Sequence, residues 1–107
     1  MSQVLLDEAL SMHGQGRLAE AERLYERALA STPSLKDARH MLGVLRAQQG
    51  RHQEALSLIA SVVAANPSDV LAFVNLGNVL NALGRWPEAL ENYDRALAEA
   101  ELISALP

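Results

Sequence analysis

Gly50-Arg51-His52-Gln53-Glu54-Ala55 has two counterparts in the same chain. Gly16-Arg17-Leu18-Ala19-Glu20-Ala21 precedes it and Gly84-Arg85-Trp86-Pro87-Glu88-Ala89 follows it, each 34 residues away with no insertion. A fixed period of this length marks a solenoid of small repeated units. In each copy the glycine stands between two apolar-periodic stretches, where a helix ends and left-handed backbone costs glycine nothing. The glutamate four residues later falls in the first turn of the next helix, where the macrodipole favours negative charge. The alanine after it is small enough to let two helices approach closely. Each unit therefore reads as helix–turn–helix.

Working outward, residues 3–14 form a first helix with Val4, Leu5, Leu6, Ala9, Leu10 and Met12 apolar. Residues 18–31 carry Leu18, Ala21, Leu24, Tyr25, Ala28 and Leu29 at helical spacing. Pro33 stops that helix. A third helix covers about 35–48 and a fourth 52–65, closed by Asn66-Pro67-Ser68-Asp69, where Ser68 or Asp69 can cap the next. The fifth covers about 69–82. The sixth starts near Trp86, with Pro87 at a tolerated first-turn position. Gly43, inside the third helix, costs about 1 kcal/mol relative to alanine and is explained by a close helix crossing. Short connections make neighbouring helices antiparallel.

Composition narrows the function. The 107 residues suit one domain, and no linker or low-complexity run interrupts them. Half are hydrophobic but only 4% aromatic, so the core is built from Leu, Ala, Val and Ile. A formal charge of −4 argues against nucleic acid as a partner. There is no cysteine, hence no disulfide framework and no thiol chemistry. No secretory leader or membrane-spanning stretch is expected, which makes the cytoplasm the default location. His13, His40 and His52 have no i+3 or i+4 partner among themselves, as a metal site would need. Glu20, Glu54 and Glu88 recur with the period and are helix-start residues. No nucleophile elbow or phosphate-binding glycine loop is present, so neither enzyme activity nor a cofactor is expected. Tyr25 and Tyr93 share their repeat position with Ile59 and are expected in the core, and Trp86 is expected to pack near the start of its helix.

At these positions the chain resembles the tetratricopeptide repeat family, whose 34-residue pattern runs through a bulky residue, Leu-Gly/Ala, Gly, Ala, an aromatic, Ala and Pro. Residues 2–35 match with Leu5, Ala9, Gly16, Ala21, Tyr25, Ala28 and Pro33. Residues 36–69 match with Leu42, Gly43, Gly50, Ala55, Ile59, Val62 and Pro67, and residues 70–103 with Phe73, Leu76, Gly77, Gly84, Ala89, Tyr93 and Ala96. The resemblance implies an all-α solenoid of three helical hairpins forming a single domain over 1–107. Glu8 departs from the pattern where Leu is usual and suits a terminal helix with nothing before it. Glu101 departs where Pro is usual, so the sixth helix is expected to continue past residue 100.

The resemblance also implies that the first helix of each repeat lines a concave groove for a peptide or helix of a protein partner. Carried over, the groove positions are Gln3, Leu6, Asp7, Leu10 and His13; Asp37, His40, Met41, Val44, Ala47 and Gln48; and Leu71, Val74, Asn75, Asn78 and Asn81. None is Lys or Arg, so the family's basic clamp for a C-terminal carboxylate is not expected. Val74-Asn75-Leu76-Gly77-Asn78 resembles the asparagine ladder of arrays fused to O-linked N-acetylglucosamine transferases. Here the ladder has one rung, because Asp7 and Met41 stand at the positions equivalent to Asn75. Two readings of these asparagines stay open: amides that hold a peptide backbone, or a solvated helix face.

The last repeat needs a polar outer face or a partner. Tyr93, Leu97, Leu102, Ile103 and Leu106 instead make an apolar end. Either the chain is a piece of a longer array, or it associates with itself through this end, as a homo-oligomer.

Overall fold

A computed structural model describes residues 1–107. It contains six α-helices and no strand: α1 (Ser2–Gly14), α2 (Leu18–Ser31), α3 (Lys36–Gln48), α4 (His52–Ala65), α5 (Val70–Ala82) and α6 (Trp86–Ser104). Each start and end lies within a residue of its expected place, and α6 does continue past residue 100.

The turn inside each hairpin is made the same way three times. Gly16, Gly50 and Gly84 have φ of 78°, 80° and 75°, the left-handed region open to glycine. This lets the amide of the following arginine reach back across the helix end: Arg17 N to Met12 O, Arg51 N to Arg46 O and Arg85 N to Leu80 O, at 2.8–2.9 Å. The glycine amide bonds the carbonyl three residues earlier, completing the Schellman pattern that satisfies the last carbonyls of a helix. Between hairpins a different device operates. Asp69 caps α5, its side chain accepting from Ala72 N at 3.1 Å, as the sequence allowed.

Two apolar clusters hold the stack together. One joins α1, α2 and α3 through Leu6, Ala9, Tyr25, Ala28, Leu42 and Leu45. The other joins α4, α5 and α6 through Ala55, Ile59, Leu76, Val79, Leu80 and Ala89. Inside the second and third hairpins the close crossing expected at Gly43 is present, and it recurs at Gly77. A Cβ on Gly43 would lie 2.6 Å from Ile59 Cγ1, and one on Gly77 would lie 2.5 Å from Tyr93 Cε1. Glycine is thus set against the bulky residue of the partner helix at the same register. On the outer side Arg46 of α3 reaches Glu22 and Glu26 of α2 and Glu54 of α4, and Arg51 joins Glu22 and Glu54.

Contacts between hairpins are asymmetric. α3 comes within 8 Å of both α1 and α5 between Cα atoms, whereas no Cα pair of α2 and α4, or of α4 and α6, is that close. First helices that approach while second helices splay produce a curved stack, with α1, α3 and α5 along its inner wall. Trp86 corrects one expectation: it is 67% exposed. It occupies the first turn of α6.

Candidate functional site

The inner wall is contoured by the residue that stands opposite the small one in each hairpin. Tyr25, Ile59 and Tyr93 are equivalent by the 34-residue period. Tyr25 is fully buried and Tyr93 half-buried, yet each sends its hydroxyl to a polar side chain of the first helix. Tyr25 Oη lies 2.8 Å from His13 Nδ1, and Tyr93 Oη donates to Asn78 Oδ1 at 2.6 Å. Burial pushes the Tyr25 phenol up to about 12, so it remains a hydroxyl.

Ile59 is smaller and has no hydroxyl. At that point the inner wall contains a hollow of about 250 Å³. Val44, Ala47, Ile59, Val79 and Ala82 form its apolar walls, and Gln48, His52, Asn75 and Asn78 its polar ones. None of these nine residues carries a carboxylate, ammonium or guanidinium group.

Each of the three amides there is oriented by a neighbouring hydrogen bond. His13 Nε2 donates to Gln48 Oε1 at 2.6 Å. Its other ring nitrogen, Nδ1, is paired with the Tyr25 hydroxyl. Asn75 Nδ2 donates to His40 Nε2 at 2.9 Å, and Asn78 Oδ1 accepts from Tyr93. These bonds leave Gln48 Nε2, Asn78 Nδ2 and Asn75 Oδ1 unengaged by the chain, two donor groups and one acceptor.

Burial of the His40 imidazole holds its pKa below the usual histidine value, outweighing Asp69 and Asp37, which pull it up; Lys36 adds to the lowering. The neutral ring is also the form that accepts from Asn75. The sign of the pH effect follows. Below about pH 6.5 the unfolded chain binds a proton that the folded ring resists, so stability present above that pH declines as pH falls and levels off below the folded pKa. Urea titrations between pH 7.5 and 5 should show a steeper loss in the native chain than in His40→Gln. The difference is at most one proton's worth, about 1.4 kcal/mol per pH unit. Parallel slopes would show that His40 does not couple to folding.

The structure sorts the expected groove residues. Val44, Ala47, Gln48, Asn75 and Asn78 meet at the hollow. His13 acts through Gln48. Gln3, Asp7, Leu10, Asp37, Leu71 and Asn81 are exposed but lie outside it, Gln3 donating to Asp7 at 2.9 Å. Met41 is half-buried against the first apolar cluster, and Val74 is half-buried. Leu6 and His40 correct the expectation: at 2% and 6% exposure they are covered by neighbouring side chains and support the wall rather than form its surface. Ile59, Val79, Ala82 and His52 were missed: Ile59 and His52 lie on the second helix α4, which the carry-over left out, and Val79 and Ala82 lie on α5 outside the carried-over positions; Ile59 and Val79, at 0% and 3% exposure, lie beneath the surface of the hollow. The available signal was isoleucine standing between two tyrosines in the period.

At the open end Leu97, Leu102, Ile103 and Leu106 are 56–70% exposed, and Trp86 and Leu90 fall in the same range. Tyr93 departs from that expectation. Its ring packs over Gly77 and its hydroxyl is committed to Asn78. No helix is long and apolar enough to cross a membrane.

A family profile described as tetratricopeptide repeat matches residues 6–70 and again 41–102. No curated protein matches significantly. Among solved structures, MamA superposes with a TM-score of 0.92 at 19% identity, covering 99% of this chain and 62% of that one. The second TPR of Spaghetti (RPAP3), bound to an HSP90 peptide, gives 0.86 at 18% identity, covering 91% and 90%. The O-GlcNAc transferase of Thermobaculum terrenum gives 0.88 at 31% identity, covering 92% of this chain and 19% of that one. The chain thus spans less than two thirds of MamA and about a fifth of the transferase.

Proposed function

The chain belongs to the tetratricopeptide repeat family, and on that premise we propose that it is a non-catalytic interaction module that holds an extended peptide of a protein partner along the inner wall. The observation that carries this reading is the set of pre-oriented amides, Gln48, Asn75 and Asn78, each with one end fixed by the fold and the other unengaged. A peptide backbone offers alternating N–H and C=O groups, which such amides can pair with regardless of sequence. Fixing the amides beforehand reduces the ordering cost of binding. The Spaghetti repeat domain, similar in fold, is bound to an HSP90 peptide, which supports a peptide as the kind of ligand.

Peptides of eight residues selected by display on the native chain test it. Asn75→Ala combined with Asn78→Ala should weaken them about ten-fold, given roughly 0.5–1.5 kcal/mol for each net hydrogen bond lost. Isothermal titration reads the affinity, and thermal melting checks that the variant is folded. Unchanged affinity in a folded variant removes these amides from recognition.

A second reading rests on α6. By the 34-residue period, Leu90 and Leu97 correspond to Leu56 and Val63 of α4, which pack into the second apolar cluster, yet Leu90 and Leu97 have no such cover. At the other end of the stack α1 shows Glu8 and Ser11, exposed and polar, beside the exposed Val4. Head-to-tail stacking would set those groups against leucines. Pairing of two α6 faces buries apolar surface on both sides and closes as a dimer. Light scattering should find that dimer and find it lost in Leu97→Lys. A native chain that stays monomeric at millimolar concentration overturns the second reading.

A further inference from the structure

We propose that the hollow at the Ile59 position is a specificity pocket that takes one aliphatic side chain of the bound peptide, and that residue 59, buried beneath it, decides whether the pocket exists. This rests on the peptide-groove reading above and adds to it the chemistry of one peptide position. Three observations combine. First, the volume of about 250 Å³ is below that of ordinary small-molecule sites, roughly 300–1,000 Å³, but ample for a single side chain, since an apolar cavity of about 150 Å³ accommodates benzene. Second, the walls are aliphatic and no charged side chain lines them, so a carboxylate or ammonium there would lose its hydration without a partner. Third, the unengaged ends of Gln48, Asn75 and Asn78 are polar neighbours of the same hollow, suited to the peptide units on either side of the anchored residue.

The register identifies what would close the pocket. Tyr93 packs its ring over Gly77, and the position equivalent to Gly77 in the second hairpin is Gly43, which already faces residue 59. A tyrosine at 59 has the same glycine seat available. Ile59→Tyr is therefore the filling variant that the repeat itself accommodates. Ala47→Leu fills the hollow from another lining position and serves as the second variant if Ile59→Tyr fails to fold.

The probes are N-acetyl-leucinamide, N-acetyl-glycinamide and N-acetyl-aspartamide, titrated to tens of millimolar against the 15N-labelled chain. The leucine probe should shift the amides of Val44, Ala47, Ile59 and Asn78, with little response to the glycine or aspartate probes. In whichever filling variant is folded, the leucine response should weaken about ten- to hundred-fold, the contribution of one buried aliphatic side chain. Equal responses to the leucine and glycine probes, or an unaltered leucine response in a folded filling variant, overturns the pocket. The eight-residue selected peptides separate the two failures. If they shift the inner-wall amides but show no aliphatic preference and bind Ile59→Tyr unchanged, the pocket falls and the groove stands. If they shift only outer-face or α6 amides, both fall.

Discussion

Tyr25→Ala should lower the unfolding free energy by about 3–5 kcal/mol, the cost of emptying a buried aromatic site. The ring is fully buried, sits edge-on to His13 at 5.8 Å between centroids, and belongs to the cluster that joins the first three helices. Domains of this size have about 5–15 kcal/mol in total, so the variant should lie close to its unfolding threshold. At about 4–8 °C per kcal/mol, its melting temperature should fall by more than roughly 12 °C. Tyr25→Phe keeps the ring and loses only the hydroxyl, costing about 0.5–1.5 kcal/mol. That smaller change also frees His13 and, through it, the orientation of Gln48, so it should weaken peptide binding more than its stability effect suggests. Urea denaturation of both variants, with hydrogen exchange to locate the loss in α1–α3, is the measurement. A drop below about 1.5 kcal/mol for Tyr25→Ala would mean that α1 and α2 collapse into the space and that the ring is not a principal support of the hairpin.

The second large effect runs against helix propensity. Alanine is better than glycine inside a helix by about 1 kcal/mol, yet Gly77→Ala should destabilise by about 1–3 kcal/mol. The new methyl would meet three Tyr93 ring atoms at 2.5, 2.8 and 2.9 Å. That ring is planar and stiff, and its far end is tied to Asn78. Relief requires α5 and α6 to separate or the ring to leave its seat. The double variant Gly77→Ala, Tyr93→Leu tests the cause. If the clash is with the ring, the two changes together should cost at least about 1 kcal/mol less than their separate costs added, the coupling expected of residues in contact. Additive costs would place the damage in the α5 backbone instead.

Helix existence, helix ends and the curved stack were legible because each has a local cause that repeats. The left-handed glycines at 16, 50 and 84 and the small residues at 43 and 77 act through backbone geometry and contact radius, which depend little on distant sequence. The inner-wall surface was legible only in part. Helical periodicity assigns a residue to an arc of the helix, broadly enough that Leu6 and Val44 belong to the same face. Whether a residue on that arc is covered depends on the bulk its neighbours bring, and so Leu6 and His40 are buried while Val44 remains at the hollow.

The amino-acid order alone, through its 34-residue period and the residue types at its fixed points, determined that three helical hairpins stack and which helices face inward. The tertiary structure alone decided which inward residues reach solvent, that the hydroxyls of Tyr25 and Tyr93 fix inner-wall side chains, and that a hollow lies at the Ile59 position. The reason is physical: chain geometry repeats over a few residues, whereas the hollow and its amide orientations arise where side chains as many as 35 positions apart meet.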